Sequence, residues 1–166
     1  MAWSKKNKVL ALSGAFIIYL IISAAFLWNL ADYLRPDTSN VNKPVRDIRN
    51  IRLAGNSLSV EVVSTPGGLY QGLSGRKSLC PDCGMLFNFS DESERDFVMR
   101  NMEFPLDIIF IDQDEVKSIS AAASPEGPRP TKIYSSVGPA RQVLEVNAGY
   151  CASHDIKPGD RIELSQ

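Results

Sequence analysis

The sequence has few of the side chains on which most enzymes depend, since only one of its 166 residues is histidine and three are cysteine. No serine lies in a Gly-x-Ser-x-Gly turn, so the usual hydrolase nucleophile has no candidate. Phosphate-binding loops and dinucleotide-binding glycine patterns are also missing. After residue 34 there is no dense basic cluster and the net charge is about minus three, so we expect no nucleic-acid partner.

The longest stretch without charge is Val9 to Ala31, and it is predominantly apolar. As a helix rising about 1.5 Å per residue, it is long enough to cross a hydrocarbon core of about 30 Å. Three lysines lie in residues 1–8, and the positive-inside tendency predicts a cytoplasmic N-terminus. We therefore predict a single-pass anchor at 9–31 in the cytoplasmic (inner) membrane and an extracytoplasmic C-terminal domain. The alternative is a signal peptide cleaved after Ser23-Ala24-Ala25, which gives a secreted or periplasmic protein.

The residues after the predicted anchor divide into a tether and a folded domain. Residues 32–50 are mostly polar and rich in turn formers, so we assign them to a linker and 51–166 to the domain. The apolar runs of the domain are short and bounded by turn residues, as in strands. The run LDIIFID is apolar at both alternating sets of positions, which predicts a strand buried on both faces. We predict a mainly β fold, a compact antiparallel sandwich or barrel.

Three segments depart from the strand pattern. A short helix is predicted from Pro66 toward Leu73, because Thr65 suits the N-cap and Pro66 suits the first helical position. The segment SDESERD at 90–96 predicts a helical turn or an acidic loop. The segment SPEGPRP at 124–130 predicts an exposed loop, because its prolines interrupt regular structure.

Five blocks, QGLSGRKSL, GMLFNF, FVMRNMEFPLDIIFID, PARQVLEVNAG and IKPGD, resemble in order and spacing the family named domain of unknown function 192. The resemblance covers about Val60 to Leu164 and implies a compact, mainly β domain, often exported or membrane-anchored, with no established activity. The matching positions are Gly72, Leu73, Gly75, Arg76, Phe97, Met99, Arg100, Asn101, Pro105 to Ile108, Leu144 and Glu145. Val98 and Gln142 stand where a Trp and another aromatic are common, so any pocket lined by those aromatics is smaller or more polar here.

Several polar side chains fall within or beside the predicted strands. Asp107 shares a strand face with isoleucines and needs a partner, for which three arginines are candidates. The candidate members of one polar cluster are Arg76, Arg100, Asn101, Asp107, Tyr134, Arg141 and Glu145. One interpretation is a network of ion pairs and hydrogen bonds that fixes strand register. The other is a polar cleft for a small anion or a sugar hydroxyl. If the cleft is catalytic, Asp107 and Glu145 act as general acid and general base.

The fragments CPDC and CASH hold every cysteine and the only histidine of the chain. Their spacing fits a Cys3His zinc site formed by Cys80, Cys83, Cys151 and His154. Outside the cytoplasm a disulfide is the default, either within CPDC or from CPDC to Cys151, and the longer loop of the second pairing stabilises more. Unpaired thiols and a redox disulfide are further alternatives. We expect Cys151 close to Cys80 or Cys83, and zinc if His154 points at them as well.

The predicted anchor, together with the lack of an activated nucleophile, favours a non-enzymatic binding or accessory module. Such a module belongs to the cell envelope or to a membrane protein complex. The alternative is an envelope-polymer-processing enzyme that uses Asp107 and Glu145. The predicted partners are the lipid bilayer, through residues 9–31, and an envelope component or membrane complex. The sequence requires no cofactor, and a structural zinc is the one candidate.

Overall fold

The structure is a computed structural model that describes residues 46–164. The predicted anchor at 9–31 and most of the predicted linker lie outside these residues. Within residues 46–164 no helix is long and apolar enough to span a membrane. The first strand begins at Asp47, so ordered structure starts inside the predicted linker and before the predicted domain boundary at Ile51.

The described residues form nine strands and two short helices. The strands are β1 (Asp47–Leu53), β2 (Asn56–Val63), β3 (Cys83–Ser93), β4 (Asp96–Phe97), β5 (Leu106–Asp112), β6 (Glu115–Ala123), β7 (Tyr134–Ser135), β8 (Ala140–Asn147) and β9 (Ile162–Leu164). The helices are α1 (Pro66–Gln71) and α2 (Tyr150–Ser153).

Seven strands form one curled, half-barrel sheet in the order β6-β5-β8-β3-β2-β1-β9. All neighbours are antiparallel except β2 and β3, which run parallel and are connected through α1. The two ends of the sheet approach each other, because the Val116 amide donates to the Asp160 carbonyl (2.8 Å) and the Ile162 amide donates to the Asp114 carbonyl (2.9 Å). Strands β4 and β7 form a separate two-stranded sheet. The predicted mainly β fold is confirmed. The sheet is a curled half-barrel with one parallel pair, β2 and β3, so the prediction of a wholly antiparallel sandwich or barrel was wrong.

The sheet carries a hydrophobic core on each face. Ile109 and Ile111 of β5 belong to what we call the α2-side core, whereas Ile108 and Phe110 belong to the α1-side core. Every residue from Leu106 to Ile111 is buried, which confirms that β5 is covered on both faces. The period-two alternation of a strand produces this division, because successive side chains point to opposite sides.

The predicted helix is confirmed, since α1 begins at Pro66 and the Thr65 hydroxyl accepts a hydrogen bond from the Gly68 amide (3.2 Å). The predicted loop at 124–130 is confirmed as well, apart from an isolated bridge at Glu126.

The prediction of a helical turn or loop at 90–96 was wrong, because β3 continues to Ser93 and β4 begins at Asp96. The Arg95 guanidinium stabilises this extended path, donating to the carbonyls of Asp91 (2.5 Å) and Ala140 (2.8 Å). It also stacks on the Phe89 ring at 4.0 Å.

Candidate functional site

The two carboxylates proposed as an acid and base pair lie on opposite faces of the sheet. In the pairing of β5 with β8, Asp107 is opposite Val146, whereas Glu145 is opposite Ile108. Val146 belongs to the α2-side core and Ile108 to the α1-side core. The sheet therefore separates the two carboxyl groups, and the hypothesis that they share catalytic work is wrong.

Asp107 has a structural role in the α2-side core. Its side chain is 1% exposed and accepts hydrogen bonds from the backbone amides of Ala122 (2.9 Å) and Cys151 (3.0 Å). These bonds connect β5 to β6 and to α2. The expectation that an arginine neutralises Asp107 was wrong, because within residues 46–164 its hydrogen-bond partners are two backbone amides.

Three other members of the predicted polar cluster are also structural and lie away from a common cleft. The Tyr134 hydroxyl accepts from the Ser124 amide (3.1 Å), and the exposed Arg141 pairs with Glu92 (2.7 Å). Asn101 has a φ of 52°, and its backbone carbonyl accepts from the Gly75 amide (2.9 Å). The predicted cluster is therefore not one site, although Arg100 and Glu145 line one cavity and the charge of Arg76 acts on Glu145.

Glu145 lies at a cavity of about 240 Å³ on the α1-side of the sheet. The walls come from α1 and the turn after it, from β3 and β4, and from the segment that follows β4. Its lining combines polar and charged side chains with apolar ones, which include Leu69, Leu73, Phe87, Phe97 and Met102. Glu145 is 5% exposed, and its Oε2 atom has no hydrogen-bond partner among the described residues. The cavity therefore contains a buried acid whose hydrogen-bonding capacity is unused.

The protonation state of Glu145 follows from this environment. Burial raises the pKa of its carboxyl from the ordinary 4.5 to about 8, and the positive charge of Arg76 opposes this rise. Arg76 is already engaged, because its Nη2 atom pairs with a Glu61 oxygen at 2.7 Å. At neutral pH the Glu145 side chain is thus mostly a neutral acid that can both donate and accept a hydrogen bond.

The turn after α1 brings the backbone close to the cavity. Gly72 has a φ of 50°, and a Cβ atom at this position would lie 3.2 Å from the Phe87 ring. Glycine is therefore needed here both for the backbone conformation and for the close approach to the aromatic wall.

Arg100 lines the cavity, and its guanidinium is held by two contacts with Tyr70. Its guanidinium stacks on the Tyr70 ring at 3.9 Å, and its Nη2 atom donates to the Tyr70 carbonyl (2.6 Å). The Ser74 hydroxyl donates to the Arg100 carbonyl (2.7 Å) and connects it to the turn after α1. Val98, at the position where the resemblance implies a Trp, also lines the cavity, but Gln142 does not.

Aromatic side chains give the cavity a packed wall. Phe97 meets the rings of Phe87, Phe110 and Phe89 edge to face, with centroid distances of 5.0, 6.0 and 6.4 Å. Sequence reasoning missed Phe87 and Met102 as cavity residues. The alternation in MLFNF puts Phe87 on one strand face, but only the pairing of Met85 with Glu145 brings that face to the acid.

A family model described as "Uncharacterized ACR", DUF192, matches residues 49–164 of the chain. The chain belongs to the DUF192 family. A crystal structure from Sinorhizobium meliloti 1021, provisionally described as a transcription regulator, is similar to it with a TM-score of 0.69 and 33% identity, over 74% of this chain and 98% of that one. A crystal structure of a protein of unknown function from Novosphingobium aromaticivorans DSM 12444 has a TM-score of 0.66 and 34% identity, over 73% and 89%. No curated protein matches the chain.

The cysteines of this DUF192 domain form a disulfide between Cys80 and Cys83, while Cys151 is a buried free thiol. The pairing of Cys151 with CPDC was therefore wrong. Cys80 and Cys83 lie in one turn, in which the Cys83 amide donates to the Cys80 carbonyl (3.2 Å). Cys151 instead packs into the α2-side core, where burial raises the pKa of its thiol to about 12.

The zinc alternative also disagrees with this arrangement. Cys80 and Cys83 are bonded to each other, and residues 46–164 contain no group of three His, Cys, Asp or Glu side chains placed to hold a metal ion. His154 stacks on the Tyr150 ring at 4.0 Å, and its Nδ1 atom is 2.9 Å from the Tyr150 carbonyl. The two fragments do lie side by side in the DUF192 domain, since Pro81, Asp82, Tyr150 and His154 line one cavity of about 390 Å³.

Proposed function

We propose that this DUF192 domain is a non-enzymatic binding module whose ligand site is the Glu145 cavity. The observation that carries the proposal is the buried Glu145 carboxyl with an unpartnered oxygen, set among apolar side chains. A buried polar group without a partner lowers stability by about 1–3 kcal/mol. A bound ligand that supplies the missing hydrogen bond offsets this penalty, as expected of a binding site.

Binding is favoured over catalysis because the cavity lacks a cooperating pair of reactive groups. Asp96, the other carboxylate among its lining residues, accepts a hydrogen bond from the Ser135 hydroxyl (2.6 Å). The Ser74 hydroxyl donates to a backbone carbonyl, and Glu145 has no nucleophile in hydrogen-bond contact within residues 46–164. Nucleophilic catalysis needs a nucleophile in contact with such a base.

The proposal includes the location predicted from the sequence, an extracytoplasmic domain held at the cytoplasmic membrane by residues 9–31. The bound component is then a small molecule of the envelope or a part of a membrane complex. A regulatory role on DNA, suggested by the description of the Sinorhizobium meliloti protein, has less support because the chain has a net charge of −1 and no dense basic cluster after residue 34.

A ligand screen on the full chain in non-ionic detergent micelles tests the proposal. Fragment-sized aromatic compounds are screened by saturation-transfer NMR against the wild type, Glu145→Leu and Glu94→Gln. Glu94 is exposed, so its substitution is the matched control. We expect compounds that bind the wild type and the control but lose about tenfold or more in affinity with Glu145→Leu. Thermal melts check that both variants are folded. If they are, a screen in which no compound loses affinity with Glu145→Leu would overturn the proposal.

A further inference from the structure

The hydrogen-bonding pattern of Glu145 indicates which chemical groups fit the cavity. Among residues 46–164 no cation forms an ion pair with its carboxyl: Arg76, whose charge acts on Glu145, pairs with Glu61, and Arg100 donates to a backbone carbonyl. A carboxyl group buried without a partner charge holds its proton. It then presents a donor O–H and an acceptor oxygen side by side.

We infer that the Glu145 cavity binds a small neutral ligand with an amide or lactam edge on an apolar ring. An amide edge has an acceptor carbonyl next to a donor N–H, and it meets a neutral carboxyl in two parallel hydrogen bonds. One of these bonds satisfies the unpartnered Oε2 atom of Glu145. The apolar ring packs against Phe87, Phe97 and Met102. This inference rests on the proposed function and names the ligand class of the same site.

The charges around the cavity disfavour the two ionic alternatives. Arg100 lines the cavity and the positive charge of Arg76 acts on Glu145, so an organic cation meets two like charges. An organic anion would have to leave water and lie beside the buried Glu145 carboxyl, and the guanidinium of Arg100, which lines the cavity, is already stacked on Tyr70 and bonded to its carbonyl. Asp96 lies at the cavity but is exposed and hydrogen-bonded to Ser135. A neutral ligand avoids both penalties.

Four probes of similar size and different polarity separate these classes. Benzamide carries the amide edge, acetophenone only the acceptor, benzoate a negative charge and benzylamine a positive charge. Affinities for the full chain in non-ionic detergent are measured by NMR titration at about pH 6.5 and about pH 9.5. These values lie on either side of the Glu145 pKa of about 8. We expect benzamide to bind about tenfold more tightly than the other three at pH 6.5 and to weaken at pH 9.5, where the ionised carboxyl has no proton to donate.

Two variants of Glu145 test which groups of its side chain the ligand contacts. Glu145→Gln retains a donor beside an acceptor, so we expect benzamide binding that no longer changes with pH. Glu145→Leu removes both groups and should lower benzamide affinity about tenfold or more. Tighter binding of benzylamine or benzoate that still depends on Glu145 would overturn the amide assignment and leave the binding function intact. Binding of all four probes that is absent or insensitive to Glu145→Leu would overturn both.

Discussion

At the scale of single residues, the position of Glu145 lowers the stability of the fold at neutral pH. The pKa of its carboxyl rises from 4.5 in the unfolded chain to about 8 in the folded one. Between these values the folded state holds a proton that the unfolded state has released, so stability decreases as pH rises from 4.5 to 8. A residue that is unfavourable for folding and lies at a cavity is a candidate for a functional role.

Glu145→Gln should therefore stabilise the protein in a pH-dependent way. At pH 7 we expect a gain of up to about 3 kcal/mol in the free energy of unfolding, because the amide has no proton to lose. At pH 4 the carboxyl is protonated in both states, and the gain should nearly vanish. Urea unfolding of both proteins at pH 4, 7 and 9 measures the difference. Equal differences at all three values would show that burial does not shift this carboxyl.

At the scale of elements, Asp107 connects three parts of the fold. It lies on β5, and its two oxygens accept backbone amides from β6 and from the first turn of α2. Ala122, one of the donors, has a φ of 51° next to an irregularity in the pairing of β5 with β6. The carboxylate thus compensates for amide groups that regular strand pairing leaves without partners.

Asp107→Asn should destabilise the domain without acting on the Glu145 cavity. The amide group retains one acceptor and points N–H donors at a backbone donor, so we expect a loss of about 2–3 kcal/mol in the free energy of unfolding. Chemical unfolding at neutral pH measures it, with Glu94→Gln as the exposed carboxyl-to-amide control. Unchanged stability together with a loss of ligand binding would mean that Asp107 belongs to the binding site.

Some elements could be predicted from the sequence because their causes are local. Thr65 and Pro66 specify the start of α1, and the apolar residues of LDIIFID predict a strand covered on both faces. That Asp107 and Glu145 lie on opposite faces of the sheet could not be predicted. A shift of one residue in the pairing of β5 with β8 would place them on the same face. The disulfide partner of Cys80 likewise depends on tertiary packing, because Cys151 lies near CPDC in the fold but has its side chain buried in the α2-side core.

At the scale of the whole molecule, the proposed location depends on residues 9–31. We expect the full chain to stay in the membrane pellet after an alkaline carbonate wash and residues 32–166 alone to be released. We also expect a protease added to intact spheroplasts to digest the domain, because the domain lies outside the cytoplasmic membrane in the predicted topology. Release of the full chain by carbonate, or protection of its domain from the protease, would contradict the predicted topology.

A carbon-13 NMR titration of the Glu145 carboxyl in the full chain, free and saturated with benzamide, tests the assignment of the ligand site most directly. The Glu145→Gln spectrum identifies the resonance. We expect a midpoint near pH 8 in the free protein and a higher one with benzamide, because a ligand that binds the protonated form raises the pKa of that group. A free midpoint near 4.5, or the same midpoint with and without benzamide, would contradict the assignment.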